Sequence, residues 1–363
     1  MEVGRYTETP NKGGIIRNSR NWRWVFTSAA LTAAAIALFI HRWRKEGFNW
    51  TDFTAAFLHL HWFWLLSAVL LALATYYGRA IRWAVLIRPL CPDTTARRLF
   101  PATAIGFTAV VLFGRAGEFV RPYLISLKER VPFSSQVASW FLERIYDVLA
   151  AALIFGFALA EIGHSGMSAG PHLQWLFKGG GSLVALVSLA ALFILITLHM
   201  WADRVKDRLL EGLSFLPDRY YAQAQNLVAE FVQGAITTRD LSVLVRLLFF
   251  TTLEWVLIAG CYFCLFKAVP GMDCFQIRDI LVFMGFVTFG SVVQIPGIGG
   301  GMQLVAIIVL TELFRVGLEL ASSIAIITWL VTFVVIVPIG LVFLFREGLN
   351  FQKLREMEAK TAG

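Results

Sequence analysis

The stretch from Leu112 to Pro122 reads LFGRAGEFVRP and lies between two strongly apolar runs. Arg115 and Arg121 supply planar guanidinium donors suited to phosphate, and Glu118 can hold either of them in place. Gly114 and Gly117 permit close backbone approach or a positive φ, and Pro122 fixes how the chain leaves the segment. Such a tip can recognise an anion; equally, the two arginines can be anchors at a cytoplasmic surface. A charge at the centre of a bilayer costs at least ~2.5–3.5 kcal/mol on insertion scales, so residues of this kind need a partner, a cavity or a function.

Three further places carry chemistry. In SWFLERIYDVLA, Glu143 and Asp147 share a helical face and Arg144 lies within reach of Asp147, which gives either a water-lined path or an ion-pair lock. The stretch QIPGIGGGMQ, Gln294 to Gln303, holds Pro296, Gly297, Gly299, Gly300 and Gly301, and cannot continue a lipid-facing helix. Its freed backbone groups must meet protein, water or ligand, unless the glycines simply allow a tight helix crossing. Glu254, inside TTLEWVL, is a lone carboxylate, fit to bind a proton or cation or to pair with Arg144.

The elements that must position these groups are membrane spans. Hydrophobic residues make up 58% of the 363 and charged residues 15%, against roughly a quarter charged in soluble domains. Mean hydropathy is +0.68. The expectation is an all-α polytopic membrane protein with about six full spans, near 24–40, 62–87, 134–160, 182–199, 246–267 and 319–345. Two apolar runs are too short and too broken for ordinary spans: 99–113, ending in GRAGEFVRP, and 280–314, interrupted by GIGGG. Both are read as re-entrant hairpins or discontinuous helices. Residues 201–236 mix charge with apolar side chains and predict two amphipathic helices broken near Pro217, either on the cytoplasmic surface or packed on the bundle. The result is one transmembrane domain over 24–345, with a basic tail at 1–23 and another tail at 346–363. The Ala-rich first span follows Arg17, Arg20 and Arg23 and reads as an uncleaved anchor.

With both termini in the cytoplasm, 24 of the 32 Lys and Arg fall inside and seven outside, with Arg144 left in the membrane. The HRWRK cluster at 41–45 is the exception. The +8 net charge therefore reflects orientation, and no nucleic-acid partner is expected. Cys261 and Cys264 form a CxxC inside an apolar run, where they read as small apolar residues. No P-loop, HExxH or GxSxG is present and the histidines are scattered, so no metal, cofactor or catalytic group is predicted, although a lipid-head-group transferase stays open. Shifting the chain by 185 residues lays Gly114 over Gly299, Glu118 over Gln303 and Val131 over Val316. In the orientation above, this is an inverted-topology repeat.

The motifs RWAVLIRP (82–89), GRAGEFVRPYLI (114–125), ERIYD (143–147) and PGIGGGMQ (296–303) occur in the order found in the lysylphosphatidylglycerol synthetase transmembrane region, or flippase-like, family, which the chain resembles over nearly its whole length. The resemblance implies a bacterial inner-membrane protein related to the flippase half of the multiple peptide resistance factor, with membrane lipid as substrate: phospholipid, aminoacyl-phospholipid, or a polyprenyl or hopanoid lipid. It does not imply synthase activity, which belongs to a separate soluble domain. A non-transporting partner that presents lipid to such a synthase is the alternative. Gln303 stands where many members carry a glutamate, which puts a protonation role there in doubt.

Overall fold

The computed structural model describes residues 48–165, 171–212, 218–236, 240–291, 294–295, 297 and 299–348. The expected first span, the HRWRK cluster, the break near Pro217, the N-terminal tail, the C-terminal tail beyond 348 and Pro296 lie outside the described residues, as does the side chain of Gln294. Two compact units are present, Met1–Trp50 and Thr51–Gly363. In the first, the described residues place the Phe48 ring edge-on to Trp50 at 4.9 Å. All that follows concerns the second.

The chain is helical almost throughout: α1 (Trp50–Leu58), α2 (Trp62–Ile87), α3 (Ala96–Phe113), a 3-10 turn (Gly114–Phe119), α4 (Val120–Glu129), α5 (Phe133–Ser165), α6 (Pro171–Gly212), α7 (Asp218–Ile236), α8 (Leu241–Ala268) and α9 (Ile277–Gly290). A two-residue antiparallel pair follows, β1 (Gln294–Ile295) and β2 (Gly299–Gly300), then α10 (Gly301–Ile308), α11 (Leu318–Trp329) and α12 (Val337–Arg346). Among the described residues, five helical segments are long and apolar enough to cross a membrane. The protein is a multi-pass membrane protein. At 26 residues, α2 runs about 39 Å at 1.5 Å per residue, which clears a hydrocarbon core of about 30 Å.

The expected span 319–345 is present as the apolar segment Leu318–Arg346. It is not one plain helix: a π turn at Leu330–Val334 follows α11 and α12 restarts with Pro338 in its first turn, while a further π turn, Val309–Leu313, follows α10. Pro338 has no N–H to give to the preceding turn, so the helix is interrupted just before it. The run 182–199 lies in the first limb of α6, and a kink at Trp201 (φ −132°, ψ 28°) separates it from a second helical limb, where the first of the two amphipathic helices is expected. The second amphipathic helix, α7, packs on α5 through a Ser134–Glu230 hydrogen bond and a Phe141–Phe231 ring contact.

Segment Ala96–Glu129 is apolar enough for a span but is not one straight helix. Gly114, at φ 70°, reverses the chain, and α4 folds back so closely that a Cβ on Gly106 would strike Arg121 and one on Gly117 would strike the Ala109 backbone. The second broken segment makes the same fold: α10 returns along α9, with Gly290 facing the Gly301 carbonyl and Val305. The two tips meet. Gly297 N–H donates to Val111 O at 2.9 Å, and Arg115 Nη2 donates to Ser291 O at 2.9 Å.

Features recur at the offset of Gly114 to Gly299. Phe133 opens α5 and Leu318 opens α11; Arg130 and Arg315, both at φ 57°, are the non-glycine residues with positive φ among those described. Phe155 meets Phe289 with ring centroids 5.0 Å apart, while their offset counterparts, Gly340 and Ala104, also pack together. Between the two halves, α2 and α8 run antiparallel, from the His61 N–H bond to Ala268 O (2.9 Å) to the shared cluster of Leu86 and Leu247.

The α12–α3 crossing depends on Gly340, where a Cβ would overlap Thr108 and the Ala104 carbonyl. Gly340→Val should cost about 1–3 kcal/mol by overpacking, while Gly156→Ala, with open space around the new methyl, should be neutral or stabilising by up to ~1 kcal/mol. Denaturation of the two variants in mixed micelles checks this; equal effects would mean the crossing is looser than described.

Candidate functional site

The buried charges gather on the inner faces of α2, α4, α5 and α8. Arg82, 1% exposed, donates through Nη1 to Asp147 Oδ1 at 2.7 Å and to Glu254 Oε2 at 2.8 Å. Its Nη2 donates to the Glu143 carbonyl oxygen at 3.3 Å and lies 3.3 Å from Glu143 Oε1. One turn earlier, Arg79 reaches Glu254 at 2.7 Å and Asp147 at 3.9 Å. Arg121 pairs with both carboxylate oxygens of Glu143, its guanidinium 4.1 Å from the centre of the Trp83 ring. Trp83 is held by its Nε1 bond to Gln136 Oε1 at 2.9 Å.

Helical spacing explains the convergence. Arg79 and Arg82 stand at i, i+3 on α2, and Glu143 and Asp147 at i, i+4 on α5, so each pair presents one stripe to the other and to Glu254 on α8. The hairpin brings Arg121 back into the bundle, because α4 runs against α3 and Gly106 leaves room for the Arg121 Cβ.

A cavity of about 300 Å³ opens beside this network and extends to the two hairpin tips, Arg115 and Ser291 among its lining residues. Arg79, Arg115, Glu118, Arg121, Arg144 and Asp147 line it, with Phe107, Trp140, Trp255 and Tyr262 on its apolar walls. Arg115 pairs with Glu118, and Glu118 also accepts from Trp140 Nε1 at 3.1 Å. Arg144, 30% exposed, lies 3.6 Å from Asp147 and 4.0 Å from Glu143. Across network and cavity, five arginines (79, 82, 115, 121, 144) face four carboxylates (118, 143, 147, 254), an excess of one positive charge.

Of the residues singled out in the sequence, Arg115, Glu118, Arg121, Glu143, Arg144, Asp147 and Glu254 come together here. Of the two arginines open to it, Glu118 holds Arg115, and Arg121 goes to Glu143; Glu254 differs from expectation in binding Arg79 and Arg82 rather than Arg144. Gln303 stands apart from the cavity lining and accepts from Gly300 N–H at 2.7 Å, closing the start of α10. Gly297 serves the tip contact described above. Arg79 and Arg82 are among the 24 cations assigned to the cytoplasmic side by the positive-inside bias, yet both lie inside α2 and inside the bundle. The signal was available, since Ile87 ends the apolar run and both arginines precede it.

A family model described as the lysylphosphatidylglycerol synthase TM region matches residues 25–340, a stretch that contains every residue of this network. The chain belongs to this family. It is also similar to a protein named glycosyltransferase AglD from Haloferax volcanii, 30% identical over 101 residues, which are 28% of this chain and 16% of that protein. The chain thus matches under a fifth of that relative's length. No solved structure matches. For a member of the transmembrane-region family, the arrangement amounts to a cationic recess inside the bundle, with its fixed charges cross-braced and its rim made by the two hairpin tips.

Arg82→Leu leaves the buried Glu143 and Glu254 and the part-buried Asp147 short of a partner and should destabilise by about 3–5 kcal/mol. Arg115→Ala, at a side chain 43% exposed, should cost no more than about 1 kcal/mol. Unfolding in mixed micelles separates the two; similar costs would show that the buried network carries no special weight.

Proposed function

We propose that the protein is a lipid translocase of the bacterial inner membrane that moves a phospholipid or related lipid between leaflets. The observation that carries this reading is the cavity with one excess positive charge, placed inside the bundle where two broken helical hairpins meet tip to tip. A head-group phosphate offers the matching charge and acceptor geometry. Arg115 and Arg144 engage it at the rim; Arg121, Glu143, Asp147 and Glu254, with Arg79 and Arg82 behind them, keep the wall rigid.

The hairpins at 96–129 and 277–313 act in this reading as re-entrant gates of an inverted-topology repeat, with both termini cytoplasmic. Support comes from features recurring at one offset and from the antiparallel α2 and α8, as expected when one half is turned over relative to the other. The transmembrane domain works without a catalytic group or cofactor of its own, and a separate lipid-modifying synthase is its partner.

A second reading, a non-transporting partner that presents lipid to a synthase, has one observation in its favour: the short stretch shared with a protein named a glycosyltransferase. Reconstitution into proteoliposomes with fluorescent phospholipids, followed by dithionite quenching, decides. Transport should fall more than tenfold in Arg144→Ala and in Arg115→Ala, with folding retained. No transport by the wild type, with lipid retained on purification, would favour the presenting role; unchanged transport in both variants would remove the site assignment.

A further inference from the structure

Most of the arginines and carboxylates in the cavity satisfy one another, and what they leave over has a definite chemistry. Among the described cavity-lining residues, two buried side-chain atoms have no hydrogen-bond partner: Arg144 Nε and Trp255 Nε1. A guanidinium and an indole N–H donate only, so their missing partner must be an acceptor. The excess positive charge favours an anionic acceptor, because Arg144 meets Asp147 only at 3.6 Å and Glu143 at 4.0 Å, both of which are shared with other arginines.

The acceptors are already engaged. Glu118 is taken by Arg115 and Trp140, Glu143 by Arg121 and Arg82, Asp147 by Arg82 and Arg144, and Glu254 by Arg79 and Arg82. Each carboxylate thus already faces at least one arginine, and an incoming ammonium must compete with a guanidinium for it. With about 300 Å³, the cavity sits at the small end of ligand pockets and takes a head group rather than acyl chains.

We infer that the cavity selects a lipid with a monoanionic phosphodiester head group and no ammonium, and discriminates against zwitterionic and aminoacylated lipids. This deepens the translocase reading and rests on it only for the fate of the lipid after binding. The phosphodiester engages Arg144 and Trp255, and an ammonium on the same head group is repelled by Arg79, Arg115 and Arg121 around the wall.

The test is equilibrium binding to the full chain in detergent, by native mass spectrometry with dioctanoyl lipids. Phosphatidylglycerol should bind at least tenfold more tightly than phosphatidylethanolamine or lysylphosphatidylglycerol. Arg144→Gln should lose that preference, and Trp255→Phe should weaken phosphatidylglycerol several-fold while leaving phosphatidylethanolamine unchanged. Equal affinities in the wild type, or tighter binding of lysylphosphatidylglycerol, would overturn the inference without recourse to any variant. Soluble glycerophosphoglycerol should bind far more weakly than the lipid; equal binding would make this a site for a free anion and overturn the lipid assignment. Selective binding without flipping would count against the translocase reading alone, and flipping without selectivity against this inference alone.

Discussion

One guanidinium holds this bundle together. Arg82 is almost fully buried and meets carboxylates from two other helices, so α2, α5 and α8 are joined through a single side chain. A buried ion pair gains little over a well-packed apolar core, yet removing one partner is expensive, because the other charge stays behind without water. Arg79 and Arg121 extend the arrangement by sharing Glu254 and Glu143 with Arg82, which ties the returning limb of the first hairpin into the same lattice. Specificity of assembly follows: each helix must arrive in one register for its charge to be met.

The hairpins solve a different problem. Backbone broken inside a helical bundle must find partners within the protein, and here each tip supplies them to the other through the Gly297–Val111 and Arg115–Ser291 bonds. These contacts lie at the rim, while the limbs beneath are locked by glycine-mediated close packing at Gly106, Gly117 and Gly290. The cavity therefore has a stiff wall and a rim at which, among the described residues, these hydrogen bonds join the tips. In the proposed mechanism that difference lets the rim open while the binding wall keeps its shape.

Much of this was legible in the sequence. Apolar runs at 62–87, 134–160 and 246–267 correspond closely to α2, α5 and α8, because uninterrupted hydrophobicity at bilayer length has few other outcomes. Glycine with proline marked both reversals. The pairings were not legible: Glu254 and Arg82 are 172 residues apart, and only the antiparallel packing of α2 on α8 brings them together. Arg79 and Arg82 were overlooked for a related reason, since a cation near the end of an apolar run looks like an anchor until a carboxylate on another helix is placed against it. The π turns before Phe314 and Val335 were invisible as well, being local adjustments that propensity does not signal.

The central claim is that the excess charge of this network is there to meet a lipid phosphate. A cryo-electron microscopy map of the protein in native-lipid nanodiscs, at a resolution that places head groups, tests it directly. The account predicts phosphate density within hydrogen-bonding distance of Arg144 Nε, on the cavity side of the Arg82 network. A cavity filled only by water, or by acyl chain with Arg144 turned away to another partner, would contradict it.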